Sequence, residues 1–212
     1  MFENKEERKL AKEILKSVVH SMFIHGDIKE DDLNDPHVLK TKMLSMLNNG
    51  ISIVVDHRST ILDQAEIFVS QLRYEYAKVF FATYFEHSIN SIISTQLSKN
   101  RISEKSKNEL IKSISLPAKY TWLLELLGLP KFNETYRKTI ASTADARNAF
   151  LHYKFTPEPD TDKIPNLDRE NKRNISEIEN IRKAVRYTKS YEAKITYRKN
   201  KRRLTSALNK LA

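Results

Sequence analysis

The sequence predicts an all-α protein, a helical bundle of four to five principal helices with a basic C-terminal helix. Three observations lead there. Apolar residues recur at spacings of three and four over most of the 212 residues, as amphipathic helices require. A single run, Ile51-Ser-Ile-Val-Val55, is β-like, and one short strand cannot make a sheet. The chain has only three Gly, far below the roughly 7% average, which excludes glycine-rich folds.

Taken in order, residues 3–24 carry Leu10, Ile14, Leu15, Val18, Val19, Met22 and Phe23 on one helical stripe. Gly26 and the acidic run from Asp27 to Asp35 end it. Pro36 precedes a short helix over 37–48, with Val38, Leu39, Met43, Leu44 and Leu47 as its apolar residues. Asn49-Gly50 is a turn signal, and Ile51 to Val55 is an extended connector or half of a small hairpin. Residues 60–99 contain no Gly or Pro and read as one long helix. Its middle, Ala77 to Phe85, is apolar nearly all round, as a central bundle helix would be. Arg101 to Ser115 is a further helix. Pro117 opens an apolar turn (Trp122, Leu123, Leu124, Leu126, Leu127) that Gly128 and Pro130 close. Residues 131–153 are helical again. Thr156 to Pro165 holds three Pro and three acids and reads as a loop. The last helix is expected to start near Asn174 or Ser176 and to run as far as Leu211, with Ile175, Ile178, Ile181 and Val185 as its core face. No internal repeat is present.

The formal net charge is +10, and its placement matters more than its size. Residues 1–181 hold 26 Lys+Arg and 26 Asp+Glu, whereas residues 182–212 hold 11 Lys+Arg and one acid, Glu192. The expected organisation is therefore a neutral bundle over 1–181 and a basic helical extension over 182–212 whose start packs on the bundle. Within the bundle, 1–58 supplies N-terminal helices and a connector, and 60–155 the core. The extension offers Arg186, Lys189, Lys194, Arg198, Lys199, Lys201, Arg202 and Arg203 to phosphates. Tyr187, Tyr191 and Tyr197 lie among these cations, a pattern that suits stacking on bases. Leu204, Ala207, Leu208 and Leu211 form a small apolar stripe that either meets a partner or packs back on the bundle.

Other chemistries are excluded or unsupported. There is no Cys, hence no disulfide framework, thiolate zinc site or cysteine nucleophile. Gly26, Gly50 and Gly128 cannot spell a phosphate-binding glycine loop. His20 and His25 are five apart, do not share a helix face and have no acid to complete a metal site. No cofactor or metal is expected. The N-terminus lacks an apolar leader core. The most apolar run, Val79 to Phe85, is far short of the roughly 18 residues that span a bilayer. A cytoplasmic protein without membrane association is the expectation.

One segment carries chemistry: Asp145-Ala-Arg-Asn-Ala-Phe-Leu-His-Tyr153. It contains Arg147-Asn148-x-x-x-His152 on a late helix, followed directly by a loop. This resembles the R-x4–6-H signature of the HEPN superfamily (higher eukaryotes and prokaryotes nucleotide-binding). The resemblance spans roughly residues 60–155. It implies a small all-α bundle, commonly a homodimer with a composite active site. Many members are metal-independent ribonucleases of toxin, abortive-infection and CRISPR systems. RNA is then the expected substrate, and an antitoxin or another defence-system protein a further partner. Some members carry an acidic or polar residue on the central helix, which here selects Glu86, paired at i, i+4 with Asn90. In one toxin branch a Tyr two residues after the His is nucleotidylated. Lys154 stands there instead, a departure from that pattern.

The residue types suit such a reaction. Metal-free RNA cleavage needs a base for the 2′-hydroxyl, an acid for the leaving 5′-oxygen and a cation on the phosphorane. A His can be base or acid near neutrality, and an Arg grips phosphate with two N–H groups. The product would be a 2′,3′-cyclic phosphate and a 5′-hydroxyl. At about 100° per residue, Asp145, Asn148 and His152 share a stripe, while Arg147 lies about 140° from His152. Either the long Arg reaches round the helix or a second subunit supplies the missing group. The bland alternatives are a capping His152, a structural ion pair for Arg147, a surface or structurally hydrogen-bonded Glu86, a solvated basic helix face with ordinary Tyr packing at the C-terminus, and a non-catalytic helical module that binds nucleic acid or protein.

Overall fold

The computed structural model of the chain describes residues 5–48, 56–152, 167–197 and 200–211. Among these residues every regular element is a helix. In chain order they are α1 (Lys5–His25), a 3-10 turn (Asp31–Asn34), α2 (Pro36–Asn48), α3 (Arg58–Ser70), α4 (Tyr74–Lys99) and α5 (Glu104–Ser113). There follow α6 (Leu116–Lys119), α7 (Trp122–Leu126), α8 (Glu134–Leu151), α9 (Leu167–Tyr197) and α10 (Lys201–Leu211). The all-α fold class is the one the periodicity predicts. The β-like run 51–55 and the proline loop 156–165 lie outside the described residues.

The chain forms two compact units. One comprises 1–55, 94–107 and 193–212, the other 56–93 and 108–192, so α4, α5 and α9 contribute to both.

The core of the first unit joins Val19, Met22 and Phe23 of α1, Ile28 and Leu33 of the following turn, Leu39 and Met43 of α2, and Leu204 and Ala207 of α10. Leu204, Ala207 and Leu208 of the apolar stripe near the end of the chain therefore pack back inside this unit. α1 stops where Gly26 takes φ +87°. The Asp27 N–H then reaches the Met22 carbonyl at 2.9 Å and the Gly26 N–H that of Phe23 at 3.3 Å, closing the helix end. A Cβ at position 26 would lie 3.4 Å from Lys99 Cγ, an ordinary contact, so it is φ rather than space that favours glycine here. Across the turn, Lys42 donates to Asp32 Oδ2 at 2.5 Å and to the Asp27 carbonyl at 3.1 Å. The hydrogen bond from Lys42 and one from the Lys29 N–H hold the Asp32 carboxyl below its ordinary pKa.

The second unit is built on α4. Phe81, Phe85 and Ile89 of that helix are fully buried, as are Leu123 and Leu124 of α7, Ile140 of α8 and Ile178 of α9. The Tyr120 hydroxyl donates to the Phe85 carbonyl at 2.8 Å. Phe132 sits edge-on to three tyrosine rings, Tyr120, Tyr187 and Tyr191, at centroid distances of 4.8–5.0 Å.

Three expected helices change their bounds. The single helix over 60–99 is two helices, because Leu72 adopts φ +57°. Its N–H bonds to the Val69 carbonyl at 3.0 Å and the Arg73 N–H to that of Phe68 at 2.9 Å, the capping pattern usually reserved for glycine. The break is held by Arg73, whose guanidinium lies over the Phe68 and Tyr76 rings at 5.1 and 4.1 Å. The helix expected from Arg101 starts later, because Arg101 itself takes φ +59° and Ser103 Oγ caps the new helix by accepting from the Ser106 N–H at 3.2 Å. The last helix begins before its apolar face does. Its first turns are Asp, Arg, Glu and Lys, helical by propensity rather than burial, with an Arg173–Glu177 pair at 3.0 Å. It does not continue to Leu211. Buried Asn200 starts α10 instead, its carbonyl accepting from the Leu204 N–H at 2.9 Å and its Oδ1 from Arg203 at 3.1 Å.

Candidate active site

α8 is positioned from its first residue. Asn133 Oδ1 accepts from the N–H groups of Thr135 and Tyr136 at 3.0 and 3.3 Å. One side of the helix buries Ile140, Thr143 and Ala144. Ala141, Asp145 and Asn148 line a cleft of about 630 Å³ whose other walls come from α4 and from the 111–120 segment. Small side chains on the α8 wall leave room, while Ile111, Ile114, Leu116 and Pro117 give the opposite wall an apolar surface.

Three of the four candidate catalytic residues meet in this cleft. Arg147 Nη1 donates to Glu86 Oε2 of α4 at 2.7 Å. Its Nε and Nη2 donate to the neighbouring Asn148 Oδ1 at 3.4 and 3.3 Å. The guanidinium is thus held by a carboxylate on one side and an amide on the other, with side-chain exposures of 21% for Arg147 and 37% for Glu86. His152 is elsewhere. It is the C-cap of α8, its N–H bonded to the Asn148 carbonyl at 3.0 Å, and its side chain is exposed. It is not among the residues that line the cleft. The reason is helical geometry: five residues carry it about 140° round from Arg147, and the helix ends there. Asn148 turns to Arg147 rather than to His152.

A fourth polar group in the cleft escaped the motif reading. Lys119, at the end of α6, is only 3% exposed. Its ammonium donates to Asn90 Oδ1 at 2.8 Å, one helical turn from Glu86. Burial holds its pKa below the usual lysine value, partly opposed by the nearby Glu86 carboxylate. The available signal was composition: Lys119 is the one cation between Leu116 and Leu127, an otherwise largely apolar stretch. With Lys112 and Arg137, the cleft borders four cationic side chains against two carboxylates, Glu86 and Asp145. Such a surface favours an anion.

The basic segment is built differently from the expectation. Arg186, Lys189 and Lys194 are exposed on α9, and Lys201, Arg202 and Arg203 are exposed on α10. Arg198 and Lys199 lie outside the described residues. Arg203 is already engaged with the Glu30 carbonyl at 3.2 Å and Asn34 Oδ1 at 3.3 Å. The tyrosines are not free for bases, which corrects the stacking role. Tyr191 is buried and donates to the Pro130 carbonyl. Tyr187 stacks on Tyr136 at 4.6 Å and accepts from the Asn133 N–H at 3.2 Å. The Tyr197 hydroxyl bonds His20 Nε2 at 2.9 Å. Their alternation with Lys and Arg reflects an amphipathic helix whose aromatic face is core.

Among the described residues no cluster of His, Asp and Glu is placed to hold a metal ion, and no helix is long and apolar enough to cross a membrane. Comparison of the chain with protein-family models, with curated proteins and with solved structures finds no match.

Proposed function

We propose that the chain is a metal-independent endoribonuclease of HEPN type, acting as a homodimer in a toxin or antiphage-defence role. The observation that carries this reading is Arg147, fixed by Glu86 and Asn148 on the wall of a cationic cleft, five residues before an exposed His152 on the same helix. Glu86 aims the guanidinium while leaving part of it open to a phosphate. In this reading the exposed α8 end of one subunit brings His152 to the RNA held by its partner, so that base, acid and phosphorane cation come together only in the dimer. The reaction yields a 2′,3′-cyclic phosphate and a 5′-hydroxyl.

The test is cleavage of tRNA, mRNA and rRNA in EDTA by wild type, Arg147→Ala and His152→Ala, with folding checked by circular dichroism. Loss of cleavage in both variants is expected. Equal cleavage by wild type and His152→Ala would sink the assignment of His152.

A second reading has its own support. The Arg147 charge is neutralised by Glu86 and His152 stands outside the cleft, an arrangement compatible with a binding module that performs no chemistry. That module would bind RNA in a salt-sensitive manner without turnover, and the same assay separates the two.

A further inference from the structure

We propose that Lys119 is a phosphate-contacting residue: a phosphoryl group of a bound RNA strand sits in the cleft between the Lys119 ammonium and the Arg147 guanidinium, with the attached base against the apolar wall. This rests on the reading that RNA is the ligand.

An ammonium has three N–H donors, and among the described residues Lys119 donates to a single neutral amide oxygen, Asn90 Oδ1 at 2.8 Å. A nearly buried charge with one of its three donors used is costly unless something else completes its shell. The other buried lysines among the described residues show the contrast. Lys78 is bound by two carboxylates, Glu75 at 2.9 Å and Glu177 at 3.0 Å. Lys107 is bound by Ser98 at 2.6 Å and by the Glu104 carboxylate. Lys119 has no carboxylate within ion-pair distance among the described residues and borders a cleft rather than closed core. An anion entering the cleft supplies what Glu75 and Glu177 supply to Lys78.

The ligand class follows from the rest of the lining. Arg147 and Arg137 add positive charge, and Arg147 presents the N–H fork that fits phosphate. Ile114, Leu116 and Pro117 contribute apolar side chains to the same cleft. The volume of about 630 Å³ lies within the range of small-ligand sites, enough for a nucleotide unit rather than an isolated ion. The lowered ammonium pKa fits the same picture, since a phosphate beside it favours the charged form that burial disfavours.

The experiment uses the full chain and a short 2′-O-methyl oligoribonucleotide, which cannot be cleaved at its blocked 2′-oxygens. Affinity is measured by fluorescence anisotropy at several salt concentrations for wild type and Lys119→Met. The expected result is roughly tenfold weaker binding for Lys119→Met and a shallower salt dependence by about 0.7, the value of one single-strand phosphate contact. Unchanged affinity and slope, or no binding of the probe by wild type at low salt, overturns the proposal. If Lys119→Met fails to fold, reductive methylation of wild type is followed by peptide mass spectrometry. Protection of Lys119 by the probe supports the contact, and equal labelling with and without it overturns it. Probe binding that depends on Lys119 in a protein that cuts no RNA would remove the ribonuclease reading and leave this one standing.

Discussion

Glu86 and Arg147 are the pair on which the site reading turns, and their coupling can be measured directly. At an effective dielectric of about 20, two unit charges 4 Å apart attract by roughly 4 kcal/mol before any solvation cost. The contact is short, 2.7 Å, but both side chains keep some exposure, 21% and 37%. Fully exposed pairs give about 0.2–1 kcal/mol, and charge-assisted hydrogen bonds about 1.5–3 kcal/mol. The pair therefore belongs between them, at a coupling of about 1–2 kcal/mol. Urea unfolding of wild type, Glu86→Gln, Arg147→Met and the double variant gives that number as a double-mutant cycle. Trp122, the only tryptophan of the chain, is the fluorescence reporter within the same unit. The functional side has the opposite sign. Glu86→Gln removes a negative charge from the cleft, so oligonucleotide affinity rises severalfold. Cleavage falls, because Arg147 is no longer aimed. A coupling below about 0.3 kcal/mol would show that Glu86 does not hold Arg147. Weaker oligonucleotide binding by Glu86→Gln would show that its charge does not oppose the ligand.

Leu72→Gly should stabilise the protein by about 0.5–1 kcal/mol in denaturant unfolding, since a 67%-exposed leucine occupies a left-handed position that suits glycine; destabilisation would mean that Leu72 contributes burial in the native state. Leu204→Ala, at a 2%-exposed core position, should cost about 2–5 kcal/mol and sensitise the chain to trypsin, and an unchanged midpoint would deny that α10 is a core element. Burial first, and then Lys201, lower the pKa of His20 below the ordinary value of about 6.5. The unfolded chain then takes the proton first, so stability is full above about pH 6.5 and declines as pH falls below it toward the folded value. His20→Gln should flatten that part of the thermal-melting profile. Replacing Arg186, Lys189 and Lys194 together by Ser should leave the melting temperature nearly unchanged and reduce the salt slope of single-stranded RNA binding by about 2; an unaltered slope would place the nucleic-acid contact elsewhere.

The fold class and most helix positions were legible because burial and period agree. Ile178, Ile181 and Val185 are core residues where the 3.6-residue pattern puts them, whereas Ile175, expected on the same face, is 53% exposed. What failed to show was local geometry without a marker. Leu72 and Arg101 perform the turn that glycine usually marks, and their support comes from an arginine over two rings and a serine cap. The polar first turns of α9 carry no apolar periodicity to read. At the site, Arg147, Asn148 and Glu86 were found from the motif and from a polar residue following an apolar run. The separation of His152 was present in the wheel angle as well. Lys119 and Asn90 join the cleft through packing between residues 29 apart in sequence, which no local pattern encodes.

The excess charge acquires a more specific meaning once packing is known. Glu192, the only acid after residue 181, is turned inward and bound to Arg58 at 2.8 Å, with Asp56 on the other side of the same guanidinium. Arg182 is likewise taken up by Glu66 and Glu179. Beyond residue 181, what remains outward on α9 is Lys183, Arg186, Lys189 and Lys194, within about 140° of arc at 100° per residue; Glu179, one turn before Lys183 in the same arc, is paired with Arg182. The same helix buries Ala184, Val185, Thr188, Tyr191 and Ile195. A deletion after residue 181 would therefore remove core and cationic face together, and loss of RNA binding in such a truncation would say nothing about charge. Substitution of the outward cations separates the two. It leaves the aromatic cluster around Phe132 intact, and with it the Asn133 cap and the start of α8 on which Arg147 is carried.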